Sequence, residues 1–306
     1  MRKAFVTTLV DLALKDSRIV LLTGDLGFMI LEPFIERFPE RFFNVGVSEQ
    51  NMAGVATGLA EAGFIPFIYS IAPFAALRTY EFIRNGPIKH NLPVRVVGVG
   101  AGFDYGLNGL THWGLEDISV MRIQPGMTVI VPADSTQAGS ALRATWDIAG
   151  PVYYSLGKDE DSLVPTLNGN FSMGHIDSVR DGDDFLIITM GGIVFEAIAA
   201  ADILKASGVS SQIAIVSCVN PPPTDDIVKA LRRHKTVLTV EVQYINGGLG
   251  SLVSEIIAEH GLNVRLVRFG VRQQIDGPIG NQKFMQTLCG LSGENIAKTA
   301  LNTLKG

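Results

Sequence analysis

Cysteine is nearly absent from this chain. Only Cys218 and Cys289 occur in 306 residues, both in apolar surroundings and without metal-ligand spacing. A disulfide framework and a thiolate metal site are therefore not expected, and reduced core thiols are. Long apolar runs are missing as well: none reaches the ~20 residues that a membrane-spanning helix needs. The first apolar stretch is broken by Asp11 and Lys15, so no secretory signal core is read there and a cytoplasmic setting is expected. Lys and Arg number 25 against 30 Asp and Glu, a formal net charge of -5, and the basic residues form no cluster. A nucleic-acid face is not expected from that balance. No short-period repeat and no low-complexity segment occurs.

What the chain does have is glycine, 33 residues of it, and 47% hydrophobic residues. Its length is enough for two domains with buried cores. Short continuous apolar runs recur: Ile19 to Thr23 before Gly24-Asp25, Phe64 to Tyr69, Leu92 to Val99, Met127 to Asp134 and Pro151 to Leu156. Such runs mark parallel strands buried on both faces. Helical spacing lies between them: residues 3–15, with Phe5, Leu9, Leu12 and Ala13 on one face, then 49 to about Ala62, then 135–149. Residues 157–180 are polar, without periodicity, and read as a linker. Beyond it the alternation resumes, with strands at Phe185, Ser211, Thr236 and Val264 and helices at Ala197 and after Gly247-Gly248-Leu249-Gly250-Ser251. The expected fold is α/β, two doubly wound domains at 1–156 and 181–306.

The stretch with most chemical content is Phe42-Phe43-Asn44-Val45-Gly46-Val47-Ser48-Glu49-Gln50-Asn51-Met52-Ala53-Gly54. A β-type run, Phe42 to Val47, leads into a helix with Met52, Val55, Ala56 and Leu59 at helical spacing. Ser48 is placed to cap that helix, and Glu49 falls in its first turn, where the dipole favours negative charge. Gly54 and Gly58 are four apart and leave room for close packing. On spacing alone Glu49 is a capping residue, and Asp25, just past a strand end, is a turn residue.

The segment Val45 to Ala56 resembles the part of transketolase-type thiamine diphosphate enzymes that carries the catalytic glutamate. The resemblance implies that Glu49 hydrogen-bonds N1′ of the cofactor's aminopyrimidine and so activates the cofactor. It implies that Asp25 lies against the cofactor, and that Phe74, in Ser70-Ile71-Ala72-Pro73-Phe74-Ala75-Ala76-Leu77-Arg78, stacks on the pyrimidine. Two flanking aromatic positions of the family are Ile71 and Leu77 here, which leaves an apolar wall but part of an aromatic cage.

Residues 100–114, Gly100-Ala101-Gly102-Phe103-Asp104-Tyr105-Gly106-Leu107-Asn108-Gly109-Leu110-Thr111-His112-Trp113-Gly114, hold the next match. The glycines do not have dinucleotide-fingerprint spacing. The loop is similar to the family pattern A-G-x-x-x-G-x-D-G-x-T-H-Q, which makes His112 the residue expected at the substrate's carbonyl-end oxygens. Asn108 stands where the family has Asp against a substrate hydroxyl, and Trp113 where Gln or His is common. Asn keeps an acceptor, adds donors and loses the charge. The family's phosphate-gripping positions correspond to Arg2, Met29, Gly100 and, approximately, Gly157; Lys158 is the one charge near the last. The glycine turn at 247–251 could bind an anion at a helix N-terminus, but the resemblance makes this domain mainly an interface, and a structural role is expected.

The G-D-G motif that holds the diphosphate through Mg²⁺ in this family is not in the chain, and Asp181-Gly182-Asp183 has neither the context nor the paired Asn. The resemblance thus implies a pyrimidine-binding domain followed by a transketolase C-terminal domain. It makes the chain one subunit of a split transketolase that moves a two-carbon ketol unit between sugar-like substrates. Thiamine diphosphate would be shared with a separate chain carrying the diphosphate half and the Mg²⁺, with no metal site of its own here, and the assembly would be a heterotetramer. The alternatives are a subunit like 1-deoxyxylulose-phosphate synthase or the β chain of a 2-oxoacid dehydrogenase, and a non-catalytic paralogue.

Overall fold

The computed structural model describes residues 1–305. The first half runs α1 (Arg2–Ala13), β1 (Ile19–Thr23), α2 (Glu32–Arg37), β2 (Phe42–Asn44), α3 (Glu49–Glu61), β3 (Ile65–Ile71), α4 (Tyr80–Ile83), β4 (Arg95–Val99), α5 (Asp117–Arg122), β5 (Thr128–Ile130), α6 (Ser135–Thr145) and β6 (Val152–Leu156). The second runs β7 (Asp177–Arg180), β8 (Phe185–Thr189), α7 (Val194–Ala206), β9 (Ser211–Ile215), β10 (Cys218–Asn220), α8 (Thr224–Leu231), β11 (Thr236–Tyr244), α9 (Leu249–Glu259), β12 (Arg265–Val271), α10 (Gln282–Leu288) and α11 (Gly293–Lys305). Among the described residues no helix is long and apolar enough to cross a membrane.

The first sheet has the order β10-β5-β6-β4-β3-β1-β2 and the second β12-β11-β8-β9-β7. All pairings are parallel except β10 with β5 and β7 with β9, the antiparallel edges. Both faces of the first sheet's inner strands β1, β3, β4, β5 and β6 are covered, which is why these strands read as mostly apolar runs. Ile19 and Leu21 of β1 pack towards Phe5, Leu9 and Leu12 of α1. Val20 and Leu22 point the other way, towards Met52, Ala53 and Ala56 of α3. The small residues on α3 let it lie close to the sheet; Val55, expected on its buried face, is partly exposed.

Strand order places the site. From β1 the chain moves to β2 on one side, then crosses through α3 to β3 on the other. β1 and β3 are neighbours whose connections leave in opposite directions, to β2 and to β4, and side chains at the carboxyl ends of β1, β2 and β3 converge on the crevice there. Glu49, Asp25 and Ile71 all lie at those ends.

Two elements differ from the sequence reading. Asp177–Arg180, read as the end of the linker, is β7, an edge strand of the second sheet. Cys218–Asn220 of the second half crosses over and extends the first sheet through β5. Both are too short for a periodic signal. The two halves are also tied by buried polar groups. Asp117 accepts from Tyr153 Oη at 2.6 Å, Ser155 Oγ at 3.0 Å and Gln243 Nε2 at 2.9 Å, and burial pushes its carboxyl upward despite these donors. Gln243 Nε2 also donates to the Gly114 carbonyl at 2.7 Å, and Tyr244 N to Leu115 O at 2.9 Å. Arg122 reaches across to Glu255 and to the Gly247 carbonyl.

The glycine turn before α9 already has its anion. Glu241 on β11 accepts from Leu249 N at 2.7 Å and Gly250 N at 2.8 Å, so the protein's own carboxylate fills the helix N-terminus. A Cβ on Gly248 would lie 1.9 Å from Glu241 Oε2. Burial pushes the Glu241 carboxyl up to about 7, against the pull of those two N–H groups, Arg268 and Arg122. A carboxyl raised in the fold supports stability below its unfolded value and loses that support as pH rises through the folded one. We therefore expect the stability difference between wild type and Glu241→Gln to shrink as pH rises from about 5 to about 8, by a few kcal/mol at most. Urea unfolding across that range measures it, and a constant difference would detach Glu241 from the pH dependence.

Candidate active site

Glu49 is the first residue of α3 and its side chain is 3% exposed. Ser48 holds the N-cap position but makes no side-chain capping bond, so the start of the helix is stabilised by the Glu49 charge rather than by a hydroxyl. Gly46 has φ +75°, which ends β2 short of the expected Val47 and turns the chain into the helix. The Glu49 carboxylate has two polar neighbours. Arg78 Nη1 lies 3.0 Å from Oε2, and Ser70 Oγ donates to Oε1 at 3.4 Å. Gly24 lies beside the carboxylate: a Cβ there would be in ordinary van der Waals contact with Oε1, at 3.7 Å.

Phe74 opens a wide i→i+5 helical turn, Phe74–Arg78, directly after β3. Such turns often mark functional positions. The Arg78 guanidinium carbon lies 3.7 Å above the Phe74 ring centroid. Phe74 also meets the His112 ring, centroids 5.1 Å apart in an edge-to-face arrangement. Glu49, Phe74 and His112 are thus one continuous group. Thr111 Oγ1 bonds His112 Nδ1 at 2.9 Å, which leaves Nε2 as the nitrogen for another partner. Ile71 is half-buried at the end of β3, and Leu77 is exposed next to Arg78.

Asp25 takes a left-handed conformation, φ +59°, at the end of β1. Its Oδ1 accepts from Asn44 Nδ2 at 2.9 Å. Asn44 Oδ1 in turn accepts from the N–H groups of Asp25 and Gly46, at 3.1 and 3.0 Å. This clamp joins the ends of β1 and β2 and fixes the turn into Glu49. Asn44 carried no motif of its own and was not singled out from sequence.

The loop 100–114 is held from the second domain. Gly106 packs so tightly that a Cβ would lie 2.4 Å from the Gly280 carbonyl oxygen. Trp113 is buried, donates from Nε1 to Gly106 O at 3.0 Å and packs edge-on to Phe103, so it shapes the loop from within. Asn108 is exposed. Gly100 has φ +81°, and a Cβ there would lie 2.1 Å from the Tyr105 ring. A larger residue at position 100 is excluded because Tyr105 already occupies the space.

Tyr105 links the remaining residues. Its ring centroid is 6.1 Å from that of His112, and Lys158 Nζ lies 4.1 Å above its face. The Lys158 backbone N–H donates to Asp104 Oδ2 at 2.6 Å, and burial pushes the Asp104 carboxyl up to about 6. Arg2 reaches this corner too, but its Nε is paired with Glu160 Oε1 at 3.3 Å, and Glu160 also takes the terminal ammonium at 2.7 Å. Arg78 and Tyr105 are the residues that sequence reading missed. The signal for Arg78 was its position four residues after Phe74, within reach of that ring. Among the described residues, no group of three or more His, Cys, Asp or Glu side chains is placed to hold a metal ion.

Residues 1–160 match the family model for the transketolase pyrimidine-binding domain, and residues 174–296 match that for the transketolase C-terminal domain. The chain belongs to the transketolase family. A putative transketolase C-terminal section of Methanocaldococcus jannaschii is 38% identical over 308 aligned residues, covering 100% of this chain and 96% of that protein. A 6-deoxy-6-sulfo-D-fructose transketolase subunit of a Clostridium species is 35% identical, covering 98% of this chain and 93% of that one. Among solved structures, a split-gene transketolase described as an inactive β4 tetramer superposes with a TM-score of 0.88 at 32% identity, covering 99% of this chain and 97% of its own. The transketolase family fold accounts for both sheets and for the two-domain order seen here.

Proposed function

We propose that this chain is the pyrimidine-side subunit of a split, thiamine-diphosphate-dependent transketolase, active with a separate chain that carries the diphosphate-binding half. The observation that carries the proposal is a buried carboxylate, Glu49, close to the face of a half-buried aromatic ring, Phe74, at the sheet's topological switch point. A flat ring with a hydrogen-bonding nitrogen fits there, because a flat, donor-bearing guanidinium already bridges the same two groups. When bound, thiamine diphosphate supplies the carbon nucleophile that takes up a two-carbon ketol unit.

The residues here have definable tasks. Glu49 would hold a hydrogen bond to the ring nitrogen and adjust its protonation, a general acid–base role favoured by burial away from water. Phe74 would stack on the pyrimidine, with Ile71 and Leu77 as apolar walls and Asp25 at the edge. His112, oriented by Thr111, would offer Nε2 to a substrate oxygen, and Asn108 would face a hydroxyl. The Mg²⁺ and diphosphate are assigned to the partner, since the sequence has no G-D-G. A partner also fits the surface: Phe28, Met29, Val47 and Leu107 are each at least 74% exposed along the edge that carries the site. Large apolar side chains gathered in this way mark an interaction face. Two copies of each chain in a heterotetramer suit this reading, and a cytoplasmic setting suits the two free cysteines.

The substrate's far end is where this chain departs from ordinary sugar-phosphate transketolases. Met29 is exposed and apolar, Gly100 is forced by Tyr105, and Arg2 is engaged by Glu160. Lys158 is the cation left at that corner, against the several charge-assisted bonds of about 1.5–3 kcal/mol each that a phosphate grip would use. We infer that at least one substrate lacks a terminal phosphate or carries its anion elsewhere.

Two outcomes follow. Calorimetric titration of the isolated chain with thiamine diphosphate and Mg²⁺ should give no tight binding; submicromolar affinity without a partner would contradict the split site. In the two-chain complex, xylulose 5-phosphate and ribose 5-phosphate should react with kcat/KM well below about 10⁴ M⁻¹s⁻¹. Efficiency at or above that level would return the substrate class to ordinary pentose phosphates.

A further inference from the structure

Arg78 makes two contacts that the proposed function reserves for something else. Its Nη1 is 3.0 Å from Glu49 Oε2, and its guanidinium sits over Phe74 with Cζ 3.7 Å from the ring centroid. Guanidinium is planar, permanently charged, an N–H donor in its own plane, and it stacks on aromatic faces. An aminopyrimidine held by the same carboxylate and the same ring needs the same flat shape and the same in-plane approach to Glu49, with one proton shared between the carboxyl and the ring nitrogen. The two cannot occupy Glu49 and Phe74 together.

The physical reason for the contact is compensation. Glu49 is 3% exposed, and a buried carboxylate without a partner is costly. Arg78 supplies the counter-charge from the rim: its own side chain is 45% exposed, so it reaches in from solvent and has a route back. The backbone favours this. Phe74–Arg78 is a single wide turn that follows β3, and it brings the fifth residue over the first.

We propose that Arg78 is an internal stand-in for the cofactor's aminopyrimidine, which occupies the pocket in the free chain and must swing out when the cofactor enters. This rests on the thiamine diphosphate reading above. It adds that the free subunit is self-blocked and that cofactor entry exchanges one planar partner for another on Glu49. Arg78 is then a gating residue whose removal helps pyrimidine binding.

The test uses the full chain and 4-amino-5-hydroxymethyl-2-methylpyrimidine, the pyrimidine half of the cofactor, with affinity read by calorimetry or ligand-observed NMR. Arg78→Ala should bind the probe about 5- to 30-fold more tightly than wild type, the range set by a half-exposed charge-assisted pair. Arg78→Lys, which keeps the charge but cannot stack as a plane, should fall between them. Wild-type affinity should rise with added NaCl, as salt screens the Arg78–Glu49 pair, and that of Arg78→Ala should not. Glu49→Gln should abolish the gain. If Arg78→Ala binds no better than wild type while Glu49→Gln weakens both, the gate is wrong and the pyrimidine site stands. If Glu49→Gln changes nothing in either background, the site assignment fails and the gate with it. Circular dichroism of each variant checks that the fold is kept.

Discussion

A carboxylate buried at the first turn of a helix has to be compensated, and the region around Glu49 is arranged by that need. The dipole of α3 contributes one part. Arg78 contributes another, from a side chain that is itself half-exposed. The Asp25–Asn44 clamp fixes the backbone that presents Glu49. The crossing of the chain at β1 is what brings these separate loops to one place. An isolated acid–aromatic pair on a surface would have none of this support.

The second domain takes part through contact rather than by lending side chains to the carboxylate. Gly280 presses on Gly106, Gln243 holds Gly114, and β10 extends the first sheet. The loop that ends in His112 is therefore clamped between domains, which fixes the His112 ring against Phe74. The glycine turn before α9 is the counterpart at the far side. Its anion site is closed by Glu241, so it stabilises the domain instead of receiving a ligand.

Much of this was legible in the sequence, for identifiable reasons. Strands β1, β3, β4 and β6 are buried on both faces and so read as mostly apolar runs, with the buried Arg95 at the head of β4 the exception in charge. Helix α1 buries Phe5, Leu9 and Leu12, the face its spacing predicted. The Glu49 segment and the loop ending in His112 carry family motifs. The rest was hidden where the cause is tertiary. Three-residue β10 has no periodicity to detect, and Ser48 does not cap although its residue type and place suggest it. Arg78 looked like an ordinary exposed basic residue until the fold brought Glu49 within 3.0 Å of it. Trp113 stands at a motif position yet serves packing, because Phe103 and the Gly106 carbonyl take both its ring and its N–H.

The central claim is that Glu49 acts on a cofactor shared between this chain and a partner. Deuterium exchange at C2 of thiamine diphosphate, in the two-chain complex, tests it most directly. The account predicts that Glu49→Gln slows exchange by ~10²–10⁴-fold, the usual contribution of a positioned acid–base group, while the complex stays assembled. Exchange at the wild-type rate in the intact variant complex would contradict it.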